Sequence, residues 1–282
     1  MKHFKHMTHS PKKSLGQNFL KSQKALAEIL HAGSVSKGDT ILEIGPGKGA
    51  LTEKLLSTGA HVVAIEKDQD LVPLLSEKFT NEIKKGLFNL IEGDILEFDV
   101  EKIKKETPPQ PSPYQGREHS KGYKLIANIP YNITGAIIRM FLESTKQPSL
   151  MVLLVQKEVA VRIARDKKES ILSLSVKAYG TPTYVSTVSK RYFNPAPKVD
   201  SAIIAILNIN RNKFVSHTHE TEFFKLIKTA FAHKRKQLAG NLKDGGYSEQ
   251  WVQQVFLEHN IPKNIRAEDI HIETWLSMSK PQ

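Results

Sequence analysis

The segment ILEIGPGKGALT, residues 41–52, decides the fold that the sequence predicts. An apolar strand runs into Gly45, Gly47 and Gly49, and a helix-like segment follows directly behind them. Glycine lets the backbone turn sharply and approach a ligand closely, because no Cβ stands in the way. The spacing is G-x-G-x-G, which differs from the G-x-G-x-x-G of dinucleotide folds. Two interpretations stay open: a plain structural turn, or a loop whose helix N-terminus receives an anionic ligand group.

Strand-like and helix-like segments alternate around this loop, from about residue 22 to residue 160. In SQKALAEILHAG, for example, Ser22 is a plausible N-cap for apolar residues at helical spacing. Apolar strands separated by helices predict an α/β, Rossmann-like domain whose mostly parallel sheet is covered on both faces. Two late segments adjoin without a helix and are candidates for an antiparallel pair at the sheet edge: TYVSTVSKRYF and SAIIAILNI.

The β character stops after about Ile209, and helix-like segments follow to the end of the chain. These segments are TEFFKLIKTAFAHKRKQLAGNL, SEQWVQQVFLEH and AEDIHIETWLSM. We therefore predict an α/β domain over residues 22–210 and a small all-helical C-terminal domain over residues 211–282. The polar, Pro-rich residues 106–122 are predicted to form an exposed, mobile loop.

Composition excludes several classes of protein. The 282 residues include no cysteine, which excludes disulfides, zinc-thiolate sites and thiol catalysis. The eleven histidines show no metal-ligand spacing, so no metal site is predicted. No apolar run approaches the roughly 20 residues that span a bilayer, and the basic N-terminus lacks the apolar stretch of a secretory signal. A cytoplasmic location is the default expectation.

The net charge of +12 is concentrated in two segments. Residues 1–24 hold six Lys and no acidic residue, and residues 211–243 hold eight Lys or Arg against two Glu. Each segment has a net charge of +6, so the rest of the chain is neutral. Such a distribution is typical of nucleic-acid binding, although a solubilising tail and a solvated helix face give the same pattern. The candidate RNA-binding residues are Lys12, Lys13, Lys234, Arg235 and Lys236.

Two acidic residues follow the next strands after the glycine loop. Glu66 ends HVVAIE, where a carboxylate can accept both hydroxyls of a ribose, and Asp94 lies in EGD, within reach of an adenine amine. Taken singly, each is also a normal surface carboxylate or helix cap. Because ligands bind at the carboxyl ends of strands in open α/β sheets, the set favours S-adenosylmethionine over NAD.

The fourth strand ends in NIPYNIT, residues 128–134, which fits methylation of an exocyclic amine. The lone pair of such an amine is delocalised into the base, so hydrogen-bond acceptors on its two hydrogens favour the pyramidal geometry needed for attack. Asn128 offers its side-chain oxygen, and the backbone of Ile129 or Pro130 offers a carbonyl. Tyr131 offers a ring on which an extracted base can stack. An ordinary loop is the alternative.

Two further segments are interpreted as parts of the same site. Phe193 precedes Pro195 and Pro197, which stiffen the backbone, and is predicted to be an exposed second stacking surface; local core is the alternative. In the basic N-terminal segment, residues 1–21, the polar pair Gln17 and Asn18 lies between apolar residues and needs partners. We expect this segment to fold toward the cofactor.

The ordered set of motifs resembles the KsgA-type ribosomal RNA adenine dimethyltransferases from Leu15 to Leu242. The matching blocks are LGQNFL, ILEIGPGKGALT, AIEKD, EGDIL, NIPYNIT, LVQKEVAVRIA, LSV, FNPAPKVDSAI and TAFAHKRKQLAGNL, with RAEDI beyond them. The resemblance implies a class I methyltransferase that transfers two methyl groups from S-adenosylmethionine to each of two adjacent adenines. These adenines lie in the 3′-terminal hairpin loop of small-subunit rRNA, and the implied partner is a pre-30S-type particle.

By motif match, the resemblance implies a set of cofactor residues: Asn18, Leu20, Gly45, Glu66, Asp94 and Asn128. We add Gln17 and Gly47 from their positions in the two motifs. The catalytic candidates are Asn128, Pro130, Tyr131 and Phe193. A monomer is the default, and the helical C-terminal domain is expected to contact the ribosomal subunit.

Two departures from the family pattern are visible. The segment SILSLSV, residues 170–176, lacks the usual Tyr-Gly pair, and the insertion at residues 106–122 is longer than expected. Two alternative functions remain at this point. One is a macrolide-resistance-type methylase of large-subunit rRNA, and the other is a mainly non-catalytic ribosome-assembly factor.

Overall fold

The computed structural model describes residues 9–100 and 122–281, which form two compact units. The first unit comprises the residues up to 157 and residues 183–207, and the second comprises residues 158–182 and 208–282. The Pro-rich loop predicted at residues 106–122 lies outside the described residues, apart from Gly122. No helix in the described ranges is long and apolar enough to cross a membrane.

The first unit is built on a seven-stranded sheet and a two-stranded ribbon. The strands are β1 (Phe19–Leu20), β2 (Thr40–Ile44), β3 (His61–Glu66), β4 (Phe88–Glu92), β5 (Lys124–Asn128), β6 (Met151–Gln156), β7 (Thr181–Val188), β8 (Phe193–Asn194) and β9 (Ser201–Leu207). The sheet order is β4-β3-β2-β5-β6-β9-β7, and β1 pairs with β8. The helices of this unit are α1 (Gln23–Ala32), α2 (Ala50–Ser57), α3 (Leu71–Lys78), α4 (Thr80–Lys84) and α5 (Thr134–Glu143).

Strands β2 to β6 pair in parallel, as predicted, whereas β9 is antiparallel to β6. Strands β7 and β9, predicted as a pair at the sheet edge, are neighbours in the sheet. Of the two, only β7 is an edge strand, because β9 lies between β6 and β7. The parallel register aligns Ile44 with Ile65 and Glu66 with Glu92. The residues that follow β2, β3, β4 and β5 therefore meet at one edge of the sheet.

In helix α1 the local sequence determines both where the helix begins and which face is buried. The Ser22 hydroxyl accepts a hydrogen bond from the Ala25 backbone N–H at 3.2 Å, which confirms it as the N-cap. Leu26 and Ile29, three residues apart on one face of the helix, are buried in the same apolar cluster as Ile41 of β2. Complete burial of such side chains is worth about 1.5–3 kcal/mol each.

The second unit is helical and includes two helices that the sequence did not predict. Its helices are α6 (Lys157–Ala164), α7 (Ile171–Tyr179), α8 (His217–Ala230), α9 (Leu238–Asp244), α10 (Glu249–Glu258) and α11 (Ile272–Met278). Leu174 and Ala178 of α7 belong to the buried cluster that contains Phe223 and Trp275. Residues 158–182 therefore group with the C-terminal helices, whereas the sequence predicted one boundary near residue 210.

The segment TEFFKLIKTAFAHKRKQLAGNL, predicted to be one helix, is two. Helix α8 ends at Ala230, and residues 231–237 form a turn before α9. The buried Asn241 side chain donates to the carbonyls of Ala230 and His233, at 2.6 and 3.1 Å. Because these carbonyls at the end of α8 receive their hydrogen bonds from α9, the helix ends without leaving them unsatisfied.

Candidate active site

A cavity of about 370 Å³ opens at the carboxyl edge of the parallel strands. All predicted cofactor residues line it: Gln17, Asn18, Leu20, Gly45, Gly47, Glu66, Asp94 and Asn128. The predicted catalytic residues Pro130 and Tyr131 line it too, whereas Phe193 does not. The volume lies within the usual range of small-molecule sites.

The glycine loop requires glycine for two separate reasons. Gly45 and Gly47 have φ values of +63° and +59°, in the left-handed region that side chains disfavour. A Cβ on Gly47 would lie 2.9 Å from the ring of Phe19, so the loop packs directly under the N-terminal segment. No described atom lies within 4 Å of the Cβ position on Gly45, which leaves the space above the strand end open.

Glu66 joins this loop to the end of β3. Its side chain is buried, with Oε2 accepting from the Gly47 backbone N–H at 3.0 Å and Oε1 accepting from the Asp68 backbone N–H at 2.8 Å. Burial raises the pKa of Glu66, while the hydrogen bonds from Asp68 and Gly47 favour the charged form. Each carboxylate oxygen retains a second lone pair, so the group can still accept ligand hydroxyls.

Asp94 is both a helix cap and part of the cavity wall. Its Oδ1 accepts from the Leu96 backbone N–H at 3.0 Å and caps a short 3-10 turn, Ile95–Glu97. Its Oδ2 accepts from Lys67 Nζ at 2.6 Å. The Lys67 hydrogen bond, with that from Leu96, holds the pKa of Asp94 below its ordinary value. Sequence reasoning missed Lys67, although it stands beside Glu66 in the AIEKD block.

Asp68 anchors the N-terminal segment and was also missed. This buried carboxylate accepts from Lys12 Nζ at 2.5 Å, Gln17 Nε2 at 2.6 Å and His9 Nε2 at 2.8 Å. Burial alone would raise the pKa of Asp68, but these three hydrogen bonds hold it well below its usual range. The segment that contributes Ser14 to Lys21 to the cavity wall is thereby bound to the end of β3.

Lys12, a predicted RNA-binding residue, and Gln17, a predicted cofactor residue, both have partners within the protein. The Lys12 ammonium contacts Asp70 as well as Asp68, at 2.6 and 2.5 Å, so two carboxylates already neutralise it. Side-chain ligand atoms of His9, Asp68 and Asp70 lie within 4.8 Å of one another, and the Lys12 ammonium is the cation that contacts both carboxylates. Both ends of the Gln17 amide are used, on Asp68 and on the Lys12 backbone N–H.

Asn128 ends β5 at the cavity wall with its amide orientation fixed. Its Nδ2 donates to the backbone carbonyl of Asn18 at 3.1 Å. Because only the NH₂ end of an amide can donate to a carbonyl, the other end, Oδ1, is the acceptor. Pro130 then has extended backbone, with φ −58° and ψ 134°, before a 3-10 turn, Tyr131–Ile133.

Tyr131 is held by a residue that sequence reasoning did not select. Its hydroxyl lies 2.6 Å from Ser201 Oγ, and Ser201 is buried at the start of β9. Burial raises the pKa of Tyr131, so the phenol is neutral around pH 7. The signal in the sequence was the DSAI block, where a serine begins an otherwise apolar strand.

Phe193 does not have the exposed position that we predicted. It is 4% exposed and belongs to the apolar cluster that contains Leu20 and Leu26. The cause is strand pairing: β8 is antiparallel to β1, and Leu20 is aligned with Phe193. The alternative, local core, describes its position correctly.

The C-terminal cations are exposed. They lie on a turn, whereas the sequence predicted that they lie on a helix. Lys234, Arg235 and Lys236 occupy the turn between α8 and α9. Lys236 contacts the carboxylate of Asp244, and this contact lowers the pKa of Asp244.

The sheet order, the antiparallel strand β9 beside β6 and the glycine loop after β2 define a Rossmann-like class I methyltransferase fold. The solved structures that share this fold include the following two. The 23S rRNA methyltransferase ErmE has a TM-score of 0.70 at 23% identity, covering 93% of this chain and 98% of its own. A dimethyladenosine transferase from Plasmodium falciparum has a TM-score of 0.72 at 22% identity, covering 92% and 95%. The predicted fold class is confirmed.

Sequence comparison identifies the family. The model of the family described as ribosomal RNA adenine dimethylase matches residues 8–281. The ribosomal RNA small subunit methyltransferase A of Dehalococcoides mccartyi (strain CBDB1) is 41% identical over 268 residues, covering 94% of this chain and 86% of the relative. The chain belongs to the ribosomal RNA adenine dimethylase family, and it is an S-adenosylmethionine-dependent enzyme, as the sequence predicted.

The residues present fit S-adenosylmethionine. Glu66 and Asp94 both line the cavity with carboxylate oxygens, which are acceptors of the kind that ribose hydroxyls and an adenine amine require. The glycine loop leaves open space at Gly45, and the N-terminus of α2 behind it favours a carboxylate.

Proposed function

We propose that this enzyme dimethylates the exocyclic amines of two adjacent adenines in the 3′-terminal hairpin loop of small-subunit (16S) rRNA. The observation that carries the chemistry is the fixed amide of Asn128 at the wall of the cofactor cavity, beside Tyr131. The choice of RNA is supported by the relative from Dehalococcoides mccartyi, whose name specifies the small subunit. The likeness to ErmE extends to the fold alone.

The chain's own residues prepare the amine for attack. Asn128 Oδ1 accepts one N–H of the target adenine, and the backbone carbonyl of Ile129 or Pro130 accepts the other. These hydrogen bonds favour a pyramidal nitrogen whose lone pair is free of the ring. S-adenosylmethionine, when bound, supplies a methyl group on a positively charged sulfur. Once methylated, the adenine nitrogen would carry a positive charge and would lose its proton to water, so the chain needs no strong general base.

The proposed base site is simpler than the sequence suggested. Tyr131 stacks on the target adenine, and the hydrogen bond to Ser201 fixes the angle of its ring. Phe193 is buried, so we assign it a structural part in the β1–β8 ribbon and no stacking role.

The cofactor contacts divide among three elements. Glu66 accepts the ribose hydroxyls, and Asp94 accepts the adenine amine of the cofactor. The backbone at Gly45 and Gly47 approaches its methionine end. Gln17, Asn18 and Leu20 belong to the N-terminal segment over the cavity.

Cations supply the contacts to phosphate. Lys13, Lys234 and Arg235 are exposed, whereas Lys12 and Lys236 are paired with carboxylates. We infer that the first three make the stronger phosphate contacts. The substrate is rRNA within a pre-30S-type particle in the cytoplasm, and the enzyme acts as a monomer with a role in small-subunit biogenesis.

Incubation of the enzyme with under-methylated small ribosomal subunits and, in parallel, with large subunits, each with labelled S-adenosylmethionine, tests this function once the modified nucleotides are mapped. Dimethylation of both adjacent adenines is expected. Label confined to large-subunit rRNA would identify a macrolide-resistance-type activity instead. Binding to the subunits without methyl transfer would identify an assembly factor.

A further inference from the structure

Four cations and one exposed tyrosine form a continuous patch on the first unit, which we call the loop surface. It consists of Lys21, Lys190, Arg191, Tyr192 and Lys198, all of them exposed. None of these residues takes part in the chemistry proposed above.

Hydrogen bonds hold the loop surface together at the mouth of the cavity. The backbone N–H of Lys21 donates to the Tyr192 carbonyl at 2.8 Å, which continues the β1–β8 pairing by one residue. Lys190 Nζ donates to the Lys198 carbonyl at 3.4 Å. Lys21 and Asn194 both line the cavity, so the loop surface borders the place where a target base would enter.

The four cations of the loop surface have no carboxylate partner within residues 9–100 and 122–281. Two other lysines of this region, Lys12 and Lys67, are in ion pairs instead. The carboxylate of Asp200 binds the Lys190 backbone N–H at 2.9 Å. A group of unneutralised cations with little competing negative charge attracts a polyanion.

Arg191 and Tyr192 contact each other within the loop surface. The guanidinium carbon of Arg191 lies 5.0 Å from the centre of the Tyr192 ring, and Nη2 donates to the tyrosine hydroxyl at 3.1 Å. Tyr192 is 38% exposed. Aromatic rings and guanidinium planes are the groups on which proteins stack unpaired bases of RNA. A partner with both phosphates and exposed bases therefore fits better than a membrane or an acidic protein.

We propose that the loop surface binds the unpaired RNA strand next to the target adenines, with a neighbouring base stacked on Tyr192 and phosphates on the four cations. This inference rests on the proposed function, because it takes the RNA substrate from there. It adds a contact on the first unit that positions the strand at the cavity mouth.

The first test compares two triple variants in binding to an RNA hairpin with two adjacent loop adenines. K190A/R191A/K198A removes three charges from the loop surface. The matched control, K37A/K84A/K85A, removes three exposed lysines that precede β2 and β4, at the opposite edge of the sheet. Each phosphate contact to a single strand contributes about 0.7 to the magnitude of the slope of log K against log salt. We therefore expect this magnitude to be smaller by about 2 for the loop variant than for the wild type. The control is expected to keep the wild-type slope, and both variants to keep the wild-type affinity for S-adenosylhomocysteine.

The second test separates stacking from charge. We expect Tyr192→Ala to raise the KM for RNA about tenfold, the size of one lost base stack, with kcat at saturating RNA within about twofold. Tyr192→Phe retains the ring and is expected to stay close to wild type.

The outcomes distinguish this inference from the proposed function. Equal affinity and slope for the wild type and the loop variant would overturn the inference, as would an equal loss in the control variant. If the wild type failed to methylate small subunits, the proposed function would fall, while the hairpin measurements would still decide the loop surface.

Discussion

Asp68 accepts a hydrogen bond from the Gln17 side chain at 2.6 Å, joining residues that are 51 positions apart in the chain. The same buried carboxylate also accepts from Lys12 and His9, so Asp68 alone makes three contacts between the N-terminal segment and the end of β3. The segment forms one wall of the cavity, and its Asn18 carbonyl receives the Asn128 amide. We therefore expect cofactor binding to depend on Asp68 through its contacts with the N-terminal segment.

Replacing Asp68 with Asn is expected to raise the KM for S-adenosylmethionine about tenfold. The neutral amide loses the charge-assisted bond to Lys12, and hydrogen bonds to charged groups are worth about 1.5–3 kcal/mol. Steady-state kinetics and calorimetric binding of S-adenosylhomocysteine measure the effect. Asp70→Asn is the matched control, because the side chain of Asp70 is 58% exposed and pairs with the same lysine. Equal KM values for wild type and Asp68→Asn would refute the anchoring role.

Glu43, in strand β2, gives the fold a pH dependence. It is 1% exposed, and Oε2 has no hydrogen-bond partner among the described residues. Burial raises its pKa from 4.5 to about 8. Below pH 4.5 Glu43 is protonated in both the folded and the unfolded chain. Between pH 4.5 and about 8 it stays protonated only in the folded chain, so the free energy of unfolding falls as the pH rises through this interval.

Urea unfolding of the cofactor-free protein at pH 5 and pH 8 tests this expectation. The contribution of Glu43 lowers the free energy of unfolding by about 3 kcal/mol across that interval, since each pH unit costs about 1.4 kcal/mol once the unfolded state is ionised. The Glu43→Gln variant has no such proton to lose, so we expect its free energy of unfolding at pH 8 to exceed that of the wild type by about 3 kcal/mol. Parallel pH profiles for the two proteins would contradict the assignment.

The bond between Tyr131 and Ser201 is expected to act as a unit. Tyr131→Phe and Ser201→Ala each remove it and are expected to lower kcat/KM by about three- to tenfold, because the ring loses its fixed angle. The double variant is expected to be no worse than either single variant, with a coupling energy of about 1 kcal/mol. Methylation kinetics on small subunits measure all four proteins, and effects that multiply in the double variant would show that the bond has no part in positioning the ring.

The strand ends were predictable because the sheet is parallel. Once apolar strands alternate with helices, Gly45, Glu66 and Asn128 must meet at one edge, and no long-range information is needed. The cap by Ser22 was likewise local. The prediction of an exposed Phe193 was wrong. A two-residue strand between a basic turn and prolines has no periodicity from which the buried face can be told from the exposed one.

Other contacts were beyond sequence reasoning for a different reason. Asp68 looks like a surface carboxylate after a strand, and only the folded chain brings His9, from 59 positions away, onto it. The turn at Lys234 depends on Asn241 binding the end of α8. Helix α7 is apolar enough to be predicted as buried, but its assignment to the second unit depends on contacts with residues near Phe223.

The central claim is that the acceptor oxygen of Asn128 prepares the adenine amine for attack. Single-turnover methyl transfer by Asn128→Ala, with enzyme in excess over under-methylated small subunits, tests it most directly. Exposed Asn81, in α4 and outside the cavity lining, provides the matched control Asn81→Ala, which is expected to stay within about threefold of wild type. We expect Asn128→Ala to be slower by about 100- to 1000-fold, the usual cost of losing one preorganised hydrogen bond to the reacting group, with RNA affinity unchanged. A rate for Asn128→Ala equal to that of the wild type would contradict the account.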